Sequence, residues 1–467
     1  MPVVFCGVSP HPPIMVPEVG GKQSDIVIKS RQAMLELGKR LKDSGADVLV
    51  MITPHGPVFR DGIAINAGRD LRGDLARFGA ADVSFEFDAD LDLAGAIHQS
   101  AGEAGITTLM MGRDEAERYG VNLELDHGLV VPLYFLAAAG VDIPLVVLYM
   151  GMLPYHQLYN FGIAVREAVD RKGRRAAVIA SGDMSHCLTS DAPAGYSPRG
   201  REFDLEMVRL LGQADVEGIM DLDPDLVEKA GECGLRPVTI MLGTLDGLAV
   251  KPEVISYEGP FGVGYLVASL IPEAPDASRE FGRSIDERRR ARVRRKKDGE
   301  GFLPSIARAA LEAYSEGKRL EVPPGEAPPE FRRPAGVFVS LKKDGRLRGC
   351  IGTISPRYGS IIEETLHNAI SAGHRDPRFD PVSSDELDDL DISVDVLESP
   401  EPVKGIEDLD PVRYGVIVKS GRRQGLLLPN LEGVDTVEEQ IAIARQKAGI
   451  SPGEKIEIER FEVKRYK

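Results

Sequence analysis

Residues 3–13, VVFCGVSPHPP, carry an apolar run that ends at a histidine set between prolines. Such a run, bounded by turn residues and without polar alternation, reads as a strand buried on both faces. The prolines restrict the backbone on either side of His11. The context recurs: His55 closes DVLVMITPH (47–55) and His186 closes AAVIASGDMSH (176–186). IPLVVLYMG (143–151) and GYLVASLI (264–271) are further apolar runs. Between them lie amphipathic stretches such as SRQAMLELGKRLKDSG (30–45), a helix with Gly45 as its C-cap. Strand and helix alternation predicts an α/β domain over residues 1–272, with a central mixed or parallel sheet flanked by helices.

At 467 residues the chain is too long for one ordinary core, so two or more domains are expected. Its 43% hydrophobic and 28% charged residues match a soluble globular protein, and no membrane span is expected. The first residues carry no basic flank and no long apolar core, so no secretory signal is read there. Cys6, Cys187, Cys233 and Cys350 form no CxxC pair. They suggest reduced thiols in a cytoplasm and no Cys-rich zinc or iron–sulfur site. A net charge of −16 argues against nucleic acid as a partner. The exception is local: RRRARVRRKK (288–297) is the densest basic run. It reads as part of a charged linker or exposed helix over 273–299 rather than as a patch for an acidic partner.

From residue 300 to 467 the pattern changes to α+β. A helix LPSIARAALEAYSEG (303–317) precedes AGVFVSLKK (335–343) and RLRGCIGTI (346–354), read as a β-hairpin around Asp344-Gly345. Further strands are expected in 390–400, 414–421 and 423–429. A helix follows in 435–450, with Asp435 or Thr436 as N-cap and Gly449 closing it.

His127, in ELDHGLVVPLYFL (124–136), falls at the start of a helix. Ligands collect outside the carboxyl ends of strands in open α/β sheets, so His11, His55, His127 and His186 can converge. His98, His156, His367 and His374 are read as local loop or surface residues. Two neutral imidazoles held at strand ends suit a metal. A third ligand is offered by Glu232 or Cys233 in KAGECGLRPVTIMLG (229–243), or by Glu258. Two histidines with a carboxylate leave open positions on Fe(II), whereas a thiolate favours softer metals. Asp183 and Ser185 are read as shaping the turn before His186, and Asp126 as an orienting partner for His127.

SPHPP, TPHGP, LDHGLVVPL and SGDMSHCL, in that order, resemble the class III extradiol ring-cleavage dioxygenase superfamily with its LigB-like fold, and the related Memo family. The resemblance covers roughly residues 1–272. It implies His11 and His55 as metal ligands, His186 as the acid/base and His127 as a second active-site histidine. The third ligand is a glutamate in the dioxygenases and a cysteine in Memo, and CGLRP (233–237) has the Memo-like spacing with Glu232 just before it. The implied cofactor is Fe(II), with Zn or Cu as alternatives. The implied reactants are a catechol-like small molecule and dioxygen.

In the second half, LKKDGRLRGCIGTI (341–354) and NAISAGHRDPRFDPV (368–382) concentrate Gly, Arg and Asp. Arg348, Cys350, Arg375, Asp376 and Arg378 are candidates for an anion pocket, or for a structural ion network. LRGCIGT, RDPRF, YGVIV, GLLLP and EGVDTVEEQI resemble the AMMECR-type domain across 300–467, a module of unsettled biochemical function. The fusion resembles the AmmeMemoRadiSam system. That implies a separate radical SAM protein as partner, because this chain has no CxxxCxxC motif. The expectation is thus a metal-dependent oxidoreductase of dioxygenase type. The alternatives are a scaffold or maturation factor for the radical SAM protein, or a Memo-like metal-binding protein without ring cleavage.

Overall fold

The structure, a computed structural model, describes residues 2–320, 328–343, 345–431 and 433–467. The chain divides into two compact units, Met1–Arg288 and Arg289–Lys467. The first is built on an eight-stranded sheet. Its strands are β1 (Val3–Ser9), β2 (Val48–Thr53), β3 (Ile63–Asn66), β6 (Thr108–Met111), β7 (Leu145–Tyr149), β8 (Ala176–Ser181), β9 (Leu248–Glu258) and β10 (Tyr265–Pro275), ordered β6-β3-β7-β2-β8-β1-β10-β9. A separate hairpin pairs β4 (Asp70–Leu75) with β5 (Ala80–Asp88).

The sheet is mixed. β7, β2, β8 and β1 are mutually parallel, while β3 runs against β7 and β10 runs against β1. Its strands alternate between two cores, as a period of two requires. Val48, Val50 and Ile52 face one core and Leu49 and Met51 the other. The helices Leu91–Glu103, Tyr155–Arg171, Pro198–Gln213 and Leu235–Gly243 supply the first core, and Ile28–Asp43 and His127–Ala138 the second. Gly45, at φ +68°, follows the end of the helix Ile28–Asp43. Because β1, β2 and β8 are parallel neighbours, with Ser9 opposite Ser181 and Ile52 opposite Ala180, their carboxyl ends lie side by side. Every residue following them is delivered to one edge.

The stretch 273–299 consists of the end of β10, a short 3-10 turn and the helix Phe281–Gly299. Charged side chains along that helix find acidic partners.

The second unit contains two four-stranded sheets. β11 (Val337–Lys343) and β12 (Arg346–Gly352) form the expected hairpin, Gly345 taking φ +78°; Asp344 lies outside the described residues. With β13 (Leu390–Leu397) and β18 (Val463–Tyr466) they pack on the helices Phe302–Ser315 and Ile361–His374. The other sheet holds β14 (Glu401–Pro402), β15 (Gly415–Ser420), β16 (Arg423–Leu427) and β17 (Glu457–Phe461), and carries the helix Val437–Ala448. Thr436 is that helix's N-cap, with Glu439 reaching back to it in a capping box. Among the described residues, no helix is long and apolar enough to cross a membrane.

Candidate metal centre

Three strand ends and two helix starts bring six side chains together. His11 leaves β1 and is 2% exposed. Its Nε2 lies 3.1 Å from His55 Nε2, just beyond β2. His127 opens the helix His127–Ala138, and its ring centroid is 4.4 Å from that of His55 and 5.5 Å from that of His11. Cys233, ahead of the helix Leu235–Gly243, places Sγ 3.8 Å from both His11 Nε2 and His186 Nε2. Asp183 accepts from His11 N at 3.0 Å, and its other oxygen lies 3.6 Å from His11 Nε2. Two donor sets have all their ligand atoms within 4.8 Å of one another: His11, His55 and His127, and His11, Asp183 and Cys233.

The surrounding bonds set the tautomer of His11. Ser181 Oγ donates its single proton to Gly128 O, so it accepts from His11 Nδ1 at 2.9 Å. The network assigns the proton to Nδ1 and leaves the Nε2 lone pair facing His55. Gly128 O is free for this bond because Pro132, four residues on in the helix, has no N–H to give it. Two close approaches admit only glycine. A Cβ on Gly182 would meet Gly234 Cα at 2.2 Å, and one on Gly128 would meet His55 Cδ2 at 2.8 Å.

The ionisation behaviour follows from burial. Burial, and then the neighbouring His55 and His186, hold His11 well below the usual histidine value. Burial with His11 and His55 pushes His127 down to about 3, and burial lowers His186 although Asp183 opposes it. Burial raises Asp183 to about 6, and burial with Asp183 raises the Cys233 thiol well above its ordinary value. Neutral imidazoles with converging lone pairs, a buried thiol and a buried carboxylate fit a divalent cation. Asp126 Oδ2, buried and without a hydrogen-bond partner among the described residues, adds an unused acceptor beside His55.

The alternatives for the third ligand separate in space. Cys233 Sγ faces the histidines, whereas Glu232 Oε2 accepts from Leu235 N at 2.6 Å and caps the following helix. Glu258 instead accepts from Ser30 N and Oγ. Asp126 is a helix N-cap, accepting from Gly128 N at 2.6 Å, rather than a partner of the His127 ring. Asp183, read from the sequence as a turn residue, is also a neighbour of the histidines, and Ser181 carried no individual expectation. The signal for Ser181 was Pro132, which leaves a carbonyl without a donor. Behind His186, buried Asp204 accepts from Ser185 N and Tyr257 Oη, both at 2.7 Å, and anchors the loop. His98 pairs with Thr108 Oγ1, and His367 stacks on Tyr358 at 3.9 Å.

In the second unit, Arg348 pairs with Glu386 at 2.9 Å and Arg378 with Asp376 at 2.7 Å. Asp376 also accepts from Cys350 N at 2.9 Å, while Cys350 Sγ lies 3.3 Å from Ser340 Oγ. These bonds tie β12 to the segment 376–386, and Arg375 is exposed.

The model of the family described as "Catalytic LigB subunit of aromatic ring-opening dioxygenase" matches residues 6–268, and the AMMECR1 model matches residues 304–466. Protein CA_C1420 of Clostridium acetobutylicum is 42% identical over 460 residues, 98% of each chain. A Thermotoga maritima protein is 57% identical over 155 residues, covering 32% of this chain and 88% of its own. The crystal structure of uncharacterized protein PH0010 from Pyrococcus horikoshii aligns with a TM-score of 0.33 at 37% identity, covering 35% of this chain and 88% of that one. The names of these relatives state no activity. The LigB family is typically metal-dependent, in keeping with the His/Asp/Cys cluster. The chain belongs to the LigB family of aromatic ring-opening dioxygenase catalytic subunits, with an AMMECR1 domain following the LigB domain.

Proposed function

We propose that the N-terminal unit is a metal-dependent oxidoreductase of extradiol dioxygenase type. It holds Fe(II) through His11, His55 and Cys233 and acts on a catechol-like molecule and dioxygen. The observation that carries this reading is the place of His11 Nε2, 3.1 Å from His55 Nε2 on one side and 3.8 Å from Cys233 Sγ on the other. When bound, the metal supplies Lewis acidity toward a substrate hydroxyl and a coordination position for dioxygen. His186, kept neutral near pH 7 by burial, accepts the hydroxyl proton at Nε2 and returns it later. His127 also stays neutral and offers a hydrogen bond to the substrate, while Phe78 packs edge-on against it at 5.4 Å and shields that side from water. The four free cysteines suit a reducing cytoplasm.

A second reading is favoured by the sulfur. A thiolate in the place of a carboxylate selects softer metals, Zn or Cu, and suits a Memo-like metal-binding protein without ring cleavage. In that case the fusion acts as a scaffold or maturation factor for a separate radical SAM protein, and residues 300–467 are required for its co-purification. The experiment is anaerobic purification, metal analysis and oxygen uptake with Fe(II) and a panel of catechols. Uptake abolished by His11→Ala and by His55→Ala supports the dioxygenase. Metal binding lost in both variants, without uptake in the wild type, removes ring cleavage and leaves the second reading.

A further inference from the structure

The basic run 288–297 has no part in the metal centre. On the helix Phe281–Gly299 most of its cations are matched. Arg288 meets Glu217 at 2.8 Å, Arg292 meets Asp389 at 3.2 Å and Lys296 meets Asp391 at 2.8 Å. Asp388 is shared by Arg289 at 3.6 Å and Lys297 at 3.2 Å, and Lys297 also meets Glu312 at 3.0 Å. Arg290 and Arg294 are different: both are exposed and form no ion pair or hydrogen bond among the described residues. Four residues apart, they share one helix face, about 6 Å from each other along the axis.

That face borders a cavity of about 340 Å³ in the second unit. Arg289, Arg290, Arg294 and Lys297 line it, together with Val293 and the carboxylates of Asp298 and Asp388. Four cations against two carboxylates leave it net positive, within a chain whose overall charge is −16. Arg289, one of the lining residues, has its Nε buried with no acceptor among the described residues. Guanidinium forks match phosphoryl oxygens bidentately. The volume suits a small ligand, since such clefts run from about 300 to 1,000 Å³. A long polyanion tracking this helix would also meet Asp298, Asp388, Asp389 and Asp391, and a compact one avoids most of them.

We propose that this cavity binds a small molecule carrying two or more phosphoryl groups, with Arg290 and Arg294 each engaging a separate group. The test is calorimetric titration of the full chain, at low salt and without added metal, using inorganic tripolyphosphate in one arm and ATP in the other. Arg290→Ala/Arg294→Ala should weaken binding about tenfold or more, as expected for the loss of charge-assisted bonds. Arg283→Ala, on the same helix but paired with Glu287, should leave binding unchanged. Circular dichroism of the double variant, whose altered side chains are exposed, reports that the fold persists. Binding of both ligands assigns the site to the phosphoryl groups they share. Binding of ATP alone assigns it to a nucleotide, and binding of tripolyphosphate alone to inorganic polyphosphate. No binding in either arm, or equal binding by the double variant, overturns the proposal. Single-stranded RNA that binds and is not displaced by tripolyphosphate overturns it in favour of nucleic acid.

Discussion

Ser181→Ala tests whether His11 is oriented as a ligand by the groups behind it. In the native chain the Ser181 hydroxyl is saturated from two sides, donating to Gly128 O and accepting from His11 Nδ1 at 2.9 Å. Alanine removes both bonds. Gly128 O then has no helical donor to turn to, because Pro132 stands at the position that would supply one. The His11 Nδ1–H is left in a site only 2% exposed. A buried group stripped of its partner costs about 1–3 kcal/mol, so two such groups put the stability loss at about 2–6 kcal/mol. The effect on the metal is separate. Without its acceptor the imidazole is free to rotate and to change tautomer, and losses of this kind lower metal affinity by about 10–100-fold. Urea unfolding of the metal-free protein measures the first quantity, and competition against a chelator of known affinity measures the second. Ser100→Ala is the comparison, since Ser100 is buried with a hydroxyl that has no partner among the described residues and should change neither quantity appreciably. If Ser181→Ala binds metal within twofold of the wild type while losing stability, Ser181 is structural only and the orientation argument is wrong.

Other perturbations separate neighbouring roles. Cys233→Ala should abolish stoichiometric metal binding. Glu232→Ala should retain it and lower stability by about 1 kcal/mol through the lost helix cap; the opposite pattern in metal analysis would make Glu232 the ligand. Burial pushes Asp204 from 3.8 up to about 6. A raised carboxyl stabilises the fold while protonated, so this contribution is present below the unfolded value and lost as pH rises through about 6. The wild type should therefore lose about 2 kcal/mol relative to Asp204→Asn between pH 4 and pH 7, and parallel stability curves would refute this. In the second unit, the Asp376 side chain is 2% exposed and that of Arg378 is 54% exposed. Asp376→Ala should cost about 1–3 kcal/mol by stripping the Cys350 N–H of its acceptor. Arg378→Ala should cost about 1 kcal/mol or less, because that partner is solvent-screened. Equal losses in denaturant titrations would contradict the difference.

The strand ends were legible because buried parallel strands write themselves as unbroken apolar runs. His11, His55 and His186 each follow such a run, and parallel neighbours bring their ends together. Strand direction was less legible: nothing near β3 or β10 announces that they run against β7 and β1, since pairing is decided far away in the chain. Glu232 and Cys233 are adjacent, so periodicity could not tell them apart. The bond from Leu235 N, which draws the carboxylate aside, separates them. That Ser181 and Asp183 neighbour His11 was not legible, because their bonds to it cross 170 and 172 residues. The run 288–297 is dense in charge, and its acidic partners, Glu217 and Asp389 among them, lie far away in the sequence.

His11, His55 and Cys233 are proposed to share one metal ion. X-ray absorption on zinc-loaded protein tests it most directly, because a thiolate scatters at about 2.3 Å and imidazole nitrogens at about 2.0–2.1 Å. One sulfur and at least two imidazole nitrogens are expected in the wild type and in Glu232→Ala. In Cys233→Ala the sulfur shell should disappear. A shell of nitrogen and oxygen alone in the wild type would contradict it.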